Sequence, residues 1–264
     1  MNDTQRPVAP VLRTIVADLH VHTALSPCGS EEMTPPAIVA AALEAGIEMI
    51  AVCDHNTAGN AAAVQEAAAA ASAGRGGGLT VLAGMEVTSA EEVHVVGLFP
   101  DAAAAERAAA EVRAVLPEAD DHYYEFFGPQ DLMDCEGGSL GSERAALAVA
   151  STFDLNDTVA LIKRHGGIAI AAHIDRRGFG LLSQLGWFPE DAGFDGVEVS
   201  KHTPVDSPRM QEFRTYGVPI TGGSDSHYPH EIGTGLTVLL MAEPTFAELK
   251  LAFAGVEGRS VDRA

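Results

Sequence analysis

The chain has 264 residues, of which 47% are hydrophobic and 20% charged, enough for one large domain or two small ones. Lysine and arginine total 16 against 37 aspartates and glutamates, so the formal net charge is −21. Duplex binding depends on cations that neutralise phosphates. The charge therefore predicts that neither an extended nucleic-acid duplex nor an anionic membrane is a partner, and the hydrophobic content excludes a disordered chain.

Cysteine usage and the absence of long apolar runs favour a cytoplasmic location. The cysteines are widely spaced and form no CxxC pair, which is not typical of a disulfide framework. Residues 1–10 are polar and lack the apolar stretch of a secretory signal. No apolar run approaches the ~20 residues of a membrane helix. No heptad or apolar stripe indicates an oligomeric state.

Short runs rich in β-branched residues alternate with longer helical stretches. In chain order, the pattern predicts strand 14–19, a helix to 45 capped by Thr34, strand 48–53, helix 59–73, strands 79–83 and 93–99, and helix 102–115. After an irregular segment it predicts helix 155–165, strands 168–172 and 196–199, helix 207–216, strands 218–221 and 235–240, and helix 245–253. This alternation predicts an α/β fold, a distorted (β/α)7-type barrel of mostly parallel strands.

Residues 118–142 fit neither the helical nor the strand period. They include Tyr123-Tyr124, Phe126-Phe127 and a glycine pair. We expect an inserted loop or small subdomain within a single domain spanning residues 1–264. Such insertions often serve as lids over a functional site. A packed surface excursion is the alternative.

Residue types that ligate metals stand where the predicted strands end. In an extended segment residues i and i+2 face the same side, so His20 and His22 can reach one ion together. Carboxylates such as Glu86 and Asp225 can bridge two ions. Because the carboxyl ends of parallel strands meet at one face of a barrel, we expect a metal cluster there. The histidines at these positions are His20, His22, His55, His94, His173 and His227.

The ordered segments DLHVH, CDH, GMEV, EVH, AHIDR and GGSDSH resemble the PHP (polymerase and histidinol phosphatase) family of metal-dependent phosphoesterases. The resemblance runs from Asp18 to about Gly235 and is strongest to the stand-alone phosphoesterases. It implies two or three divalent ions, Mn, Zn or Fe. It assigns the first ion to His20, His22, Glu86 and Asp225, the second to Glu86, His94 and His173, and the third to His55 and His227.

The third ion site departs from the family pattern. In the segment LSPCGS, Cys28 stands near the place where the family commonly has an aspartate or histidine. A thiolate ligand would favour zinc or iron over manganese. The alternative is a buried structural thiol.

The resemblance also implies substrate contacts. Arg176 follows His173 at the spacing of the family segment AHPxR, whose arginine contacts phosphate, although Ile174 replaces the proline and Arg177 is a rival. His202 resembles a phosphate-facing position. The catalytic set is then His20, His22, Glu86, His173, Asp225 and Arg176. Three further carboxylates are predicted to orient ligands from behind, with turn capping as the alternative for the first two: Asp18, Asp54 and Glu198.

These residues predict hydrolysis of a small phosphate monoester by attack of a metal-bridging hydroxide. The resemblance suggests a nucleotide, a 3′,5′-bisphosphate nucleotide, the 5′ end of a short oligonucleotide or, alternatively, histidinol phosphate. The aromatic segment 123–127 is suited to stack on a base. A metal-dependent amidohydrolase acting on a C–N bond is a second hypothesis, weakened because no lysine lies at a suitable strand end. A barrel that binds its ligand without turnover is a third.

Overall fold

The computed structural model describes residues 10–73 and 78–263. The first half contains β1 (Arg13–Val21), α1 (Pro35–Glu44), β2 (Met49–Val52), α2 (Ala61–Ser72), β3 (Thr80–Thr88), β4 (His94–Phe99) and α3 (Ala102–Arg113). Next come α4 (Asp121–Phe127), β5 (Asp131–Met133), β6 (Ser139–Ser142), α5 (Leu155–Arg164), β7 (Ile168–Ala171) and α6 (Leu181–Leu185). The last are β8 (Gly196–Glu198), α7 (Pro208–Arg214), β9 (Ile220–Thr221), β10 (Thr237–Met241), α8 (Phe246–Phe253) and β11 (Ser260–Arg263).

A nine-stranded sheet in the order β11-β10-β1-β2-β3-β4-β7-β8-β9 curls into a nearly closed barrel. The pairs β1–β2, β2–β3, β7–β8 and β8–β9 are parallel. Strands β4 and β10 run antiparallel to each of their neighbours, so the other seven strands of the sheet share one direction. The predicted α/β barrel of mostly parallel strands is confirmed.

The barrel strands bury both faces, as expected when helices cover a largely parallel sheet. Strand β2 shows the alternation most simply. Met49 and Ala51 enter a cluster inside the barrel, whereas Ile50 and Val52 pack in the layer between the sheet and the helices. Helix α8 adds Leu249 to the inner cluster.

Side-chain caps begin several of the helices that cover the sheet. Thr34 accepts a hydrogen bond from the Ala37 amide, as the sequence predicts, and Pro35 opens α1. Asp101 and Asp154 cap α3 and α5 in the same way. Each such cap contributes about 1 kcal/mol.

The structure adds elements that the sequence pattern did not predict. Helix α6 is only five residues long, too short for a helical period to be visible. Strands β5 and β6 pair as a separate hairpin, and β6 is exposed throughout, so it lacks the alternation of a half-buried strand. Strand β11 completes the large sheet. No helix among the described residues is long and apolar enough to cross a bilayer.

Candidate active site

Eight side chains predicted from the sequence converge at one end of the barrel, and we call them the strand-end cluster. Its members are His20, His22, His55, Glu86, His94, His173, Asp225 and His227. Strand parity explains two of them. Glu86 lies on the same face of β3 as Leu82, which points into the barrel, because every second residue of a strand faces the same side. His94 is the first residue of β4 and shares the inward face of that strand. His94 begins its strand rather than ending it, and it reaches the same edge because β4 runs in the opposite direction.

Glu86 lies at the centre of the cluster and has no solvent exposure. The nearest carboxylate–imidazole distances are 2.8 Å to His94 Nδ1, 2.9 Å to His55 Nδ1, 3.1 Å to His173 Nε2, 3.5 Å to His20 Nε2 and 3.6 Å to His22 Nε2. Asp225 extends the cluster, with Oδ1 3.0 Å from His22 Nε2 and 3.7 Å from His20 Nε2.

The cluster fits divalent cations. Buried polar atoms normally have hydrogen-bond partners. Five here make no hydrogen bond of acceptable geometry, although two of the imidazole nitrogens lie within 3 Å of Glu86. The five atoms are His20 Nε2, His55 Nδ1, Glu86 Oε2, His94 Nδ1 and His173 Nδ1. Three overlapping triads place ligand atoms within 4.8 Å of one another. They are His20/His22/Asp225, His22/His55/His227 and His55/Glu86/His94. The side chains assigned to separate ions thus form one continuous cluster, in which His22 and His55 each stand in two triads.

The pKa pattern of the cluster matches a site for positive charge. Burial raises the pKa of Glu86, but the surrounding imidazoles outweigh burial and hold it well below its usual value. Burial likewise opposes ionisation of Asp225, whose pKa is nonetheless held low by His20 and His22. Burial lowers the pKa of His94 to about 4, against the pull of Glu86. Burial lowers the pKa values of His20 and His55, but nearby carboxylates outweigh burial and raise both well above the usual value. Glu86 and Asp225 are therefore ionised and His94 is neutral, as metal binding requires, whereas His20 and His55 would have to lose a proton to bind a cation.

Glu198, predicted as an orienting carboxylate, contacts His20 on the side away from the cluster. Both of its carboxylate oxygens lie 3.1 Å from His20 Nδ1, which leaves Nε2 facing the cluster. The two side chains can approach only because residue 223 is glycine. A Cβ there would lie 2.3 Å from Glu198 Oε2 and 2.7 Å from the His20 Cβ.

The predicted roles of Asp18 and Asp54 need correction. Asp18 accepts from the amides of Ser224 and Gly233, both at 2.9 Å, so it anchors two loops instead of contacting an imidazole nitrogen. Asp54 accepts from the Thr23 amide and the Ser26 hydroxyl, both at 2.7 Å. Asp54 therefore reaches a ligand only indirectly, by holding a turn.

Ser26 makes a contact behind His22 that the sequence analysis did not predict. Its hydroxyl lies 2.9 Å from His22 Nδ1. Nothing in the segment LSPCGS marks this serine as different from Ser30, so the sequence pattern gave no signal for it.

Cys28 lies beside the third predicted site. Its Sγ is 2.9 Å from His227 Nε2, while His227 Nδ1 lies 2.8 Å from the Asp225 carbonyl oxygen. Burial raises the pKa of Cys28, but hydrogen bonds with His227 and His55 prevail and lower it to about 6. The structure therefore brings Cys28 to the histidines with which it was grouped.

A cavity of about 380 Å³, which we call the polar cavity, opens beside the cluster. Arg176, Lys201 and His202 line it together with Asp225 and His227. Arg176 pairs with Asp225. The rival Arg177 is exposed and does not line the polar cavity, so the structure brings only Arg176 to the site.

Asp175 was missed by the sequence analysis. It accepts hydrogen bonds from the Ser200 amide, the Ser200 hydroxyl and the Thr203 hydroxyl, at 2.8, 2.7 and 2.6 Å. These bonds fix the loop that presents Lys201 and His202. The sequence feature that could have identified Asp175 is its position in the segment HIDRR, between His173 and Arg176.

Two members of the cluster have left-handed backbone conformations. His173 has φ of 25° and Asp225 has φ of 49°. Such conformations in residues other than glycine cost of order 1–3 kcal/mol and are concentrated at functional sites. The backbone strain lies where the predicted ligands turn into the barrel mouth.

The profile of the PHP domain matches residues 18–173, more than half of the chain. The chain belongs to the PHP family. A second profile, PHP-associated, matches residues 210–253. Family membership agrees with the metal-binding geometry of the strand-end cluster. A search of curated proteins finds no match.

Solved structures share the fold at low sequence identity. The lesion-specific endonuclease Q from Pyrococcus furiosus superposes with a TM-score of 0.68 and 18% identity, over 94% of this chain. This chain spans only 58% of that endonuclease. A metal-dependent phosphoesterase from Bifidobacterium adolescentis gives 0.56 and 20%, over 85% and 90% of the two chains. An amidohydrolase from Chromobacterium violaceum with bound sulfate gives 0.56 and 25%, over 83% and 90%.

One of these comparisons overturns an expectation from charge. Endonuclease Q has been solved in complex with a 27-mer duplex carrying an abasic lesion, and that chain matches this one with a TM-score of 0.68. The exclusion of an extended duplex on the basis of a net charge of −21 is therefore wrong. Net charge sums the whole surface, whereas a nucleic-acid strand is held by local contacts.

Proposed function

We propose that the protein hydrolyses a phosphate monoester of nucleotide size: a nucleotide, a 3′,5′-bisphosphate nucleotide or the 5′-terminal phosphate of an oligonucleotide. The observation that carries this proposal is the junction of the strand-end cluster with the polar cavity. In a strongly acidic chain, Arg176, Lys201 and His202 face the same cavity as the predicted metal ligands. Guanidinium and ammonium groups are suited to phosphate oxygens.

The residues proposed as ligands are the eight members of the strand-end cluster together with Cys28. Bound divalent ions neutralise phosphate charge and lower the pKa of water to about 7. Glu198 and Ser26 hold His20 and His22 in orientation. His173 and Asp225 face both the cluster and the polar cavity, where the ester would lie.

Arg176 is proposed to bind the phosphoryl oxygens. Its guanidinium contacts Asp225 and lines the polar cavity, so it reaches the boundary between ligands and substrate. Hydrogen bonds from a fixed cation strengthen as negative charge builds on these oxygens in the transition state. His202 and Lys201, on the loop held by Asp175, line the same cavity and are proposed to contact the same phosphate.

Hydrolysis of a C–N bond is the second candidate, favoured by the similarity to the Chromobacterium violaceum amidohydrolase. The centre of the cluster argues against a bridging lysine, because Glu86 occupies it. Lys201 lies on the rim instead, with Nζ 3.0 Å from the Thr234 hydroxyl.

Phosphate release from a panel of esters tests the proposal. Protein stripped of metal and reloaded with Mn, Zn or Fe(II) is incubated with AMP, adenosine 3′,5′-bisphosphate, histidinol phosphate, 5′-phosphorylated oligonucleotides and a duplex with an abasic site. We expect release from at least one nucleotide-type ester with at least one metal. Release from histidinol phosphate alone, strand cleavage alone, or amide hydrolysis without phosphate release would contradict the proposal.

A further inference from the structure

A second cavity, which we call the aromatic cavity, lies beside the cluster and is not lined by Arg176. It measures about 170 Å³, and two predicted metal ligands, His55 and His94, line it. Apolar side chains form the other walls, namely Pro27, Phe127, Leu147 and Phe179. Cys28 lines both cavities, so the two adjoin at this residue.

Phe179 is held at this cavity by a strained turn. Its φ is 59°, although it is not a glycine, and its ring stacks on His94 with centroids 4.5 Å apart and planes inclined by 18°. The His94 amide donates to the Phe179 carbonyl oxygen at 3.0 Å. Phe179 nevertheless remains 40% exposed. Strain that leaves an aromatic ring in solvent beside a predicted ligand indicates a role in binding.

Phe127 reaches the cavity from α4, in the segment predicted as an insertion. The tyrosines of that segment are engaged elsewhere, because the Tyr123 hydroxyl donates to Gln130 and the Tyr124 hydroxyl donates to the Glu143 carbonyl oxygen. Gln130 in turn accepts from the Leu147 amide at 2.9 Å. These bonds fix α4 at the rim, with Phe127 38% exposed and lining the cavity.

One short loop therefore serves two cavities. In the segment HIDRRGFG, Arg176 lines the polar cavity and Phe179 lines the aromatic cavity. The turn between them is tight, since a Cβ at position 180 would lie 2.4 Å from the Arg176 carbonyl oxygen. A ligand that spans both cavities has an anionic end and a flat apolar end.

We propose that the aromatic cavity binds a heteroaromatic ring attached to the scissile phosphate, stacked against Phe179 and Phe127 while Arg176 holds the phosphate. This inference rests on the proposed function and names the substrate class more closely. The ring has two possible sources, a free nucleotide or the terminal nucleotide of a strand. Their shared chemistry is a planar base next to a phosphate.

The test compares kcat/KM for AMP with that for ribose 5-phosphate, which lacks the ring. A second pair, a 5′-phosphorylated oligonucleotide with a base or an abasic residue at its 5′ end, identifies the source. We expect a preference for the ring of about 5- to 150-fold in at least one pair, the range for one base stacked on an aromatic side chain. A preference in the first pair assigns the ring to a free nucleotide, and one confined to the second assigns it to a strand end.

Substitutions of the two phenylalanines test whether they cause the preference for esters that carry the ring. Phe179→Ala and the milder Phe127→Leu, which keeps an apolar side chain and protects the fold, are expected to reduce it severalfold. Phe126→Ala is the matched control, because Phe126 is on the same helix, is 77% exposed and does not line the cavity. Equal kcat/KM within both pairs, or equal losses in all three variants, would overturn this inference and leave the proposed function standing. Absence of phosphate release from every ester would overturn both.

Discussion

The floor and the rim of the site are built differently. The floor is formed by the strand-end cluster, of which five members are buried and three are half-buried, and its residues lie on barrel strands or in the loops that follow them. The rim consists of the loop after β7, the loop after β8 and the segment that contains α4. Its key side chains, Arg176, Phe127 and Phe179, are exposed. A rigid floor suits a reaction that needs fixed ligands, whereas exposed loops are where substrate contacts vary.

The largest expected effect is on the floor. Glu86→Gln should reduce phosphate release to background and lower the metal content per chain, because a neutral amide replaces the carboxylate at the centre of the imidazoles. Glu111→Gln is the matched control, since Glu111 pairs with Arg164 and His165 on the surface. Metal analysis and a phosphate-release assay measure both. A fully active, fully loaded Glu86→Gln protein would show that the floor is not the reaction centre.

Metal removal should destabilise the fold as well as stop turnover. An ion that binds only the folded state at 100 times its Kd contributes about 2.7 kcal/mol, which corresponds to a rise in Tm of about 5–10 °C for a domain of this size. Thermal melts of stripped and reloaded protein measure the difference. Identical melting curves, with metal shown to be bound after reloading, would argue that the floor is stable without cations.

A smaller effect is expected behind the floor. Glu198→Gln should weaken metal affinity by about 10- to 100-fold, the usual result of removing a carboxylate that orients a ligand histidine. Titration with a competing chelator measures the affinity, a readout that separates orientation from loss of a substrate contact. Glu190→Gln, at an exposed carboxylate, is the control. Equal affinities in the two variants would remove Glu198 from the site.

The smallest effect is expected at the rim. Arg176→Lys keeps the charge but loses the planar fork, and should lower kcat/KM by about 2- to 10-fold, the worth of one hydrogen bond. Arg177→Lys is the matched control one residue away. Steady-state kinetics with the ester of the panel that is hydrolysed fastest measure kcat/KM for both variants. An equal loss in both variants, or a loss only in Arg177→Lys, would show that the wrong arginine has been assigned to phosphate.

The sequence predicted the floor better than the rim, and the reason is geometric. His20 and His22 are two residues apart on a strand, and Glu86 shares the parity of inward-facing Leu82, so local periodicity is enough to bring them to one edge. Phe179, Asp175 and Ser26 act through turns, whose dihedral angles no periodic pattern encodes. Phe179 in particular depends on a left-handed backbone angle that is unusual for its residue type.

Two errors show where residue chemistry alone misleads. Asp18 and Asp54 adjoin histidines in the sequence, yet their carboxylates turn to backbone amides and hydroxyls of neighbouring loops. Proximity along the chain does not establish contact between side chains. The exclusion of a duplex failed similarly, because a total charge was used to judge a local surface.

The central claim is that the strand-end cluster holds the cations of a phosphoesterase. Anomalous diffraction from crystals of active, metal-reloaded protein, collected at the absorption edge of the metal supplied, tests it most directly. We expect anomalous peaks among His20, His22, Glu86, His94, His173 and Asp225. Active crystals whose only anomalous peaks lie outside this set of residues would contradict the account.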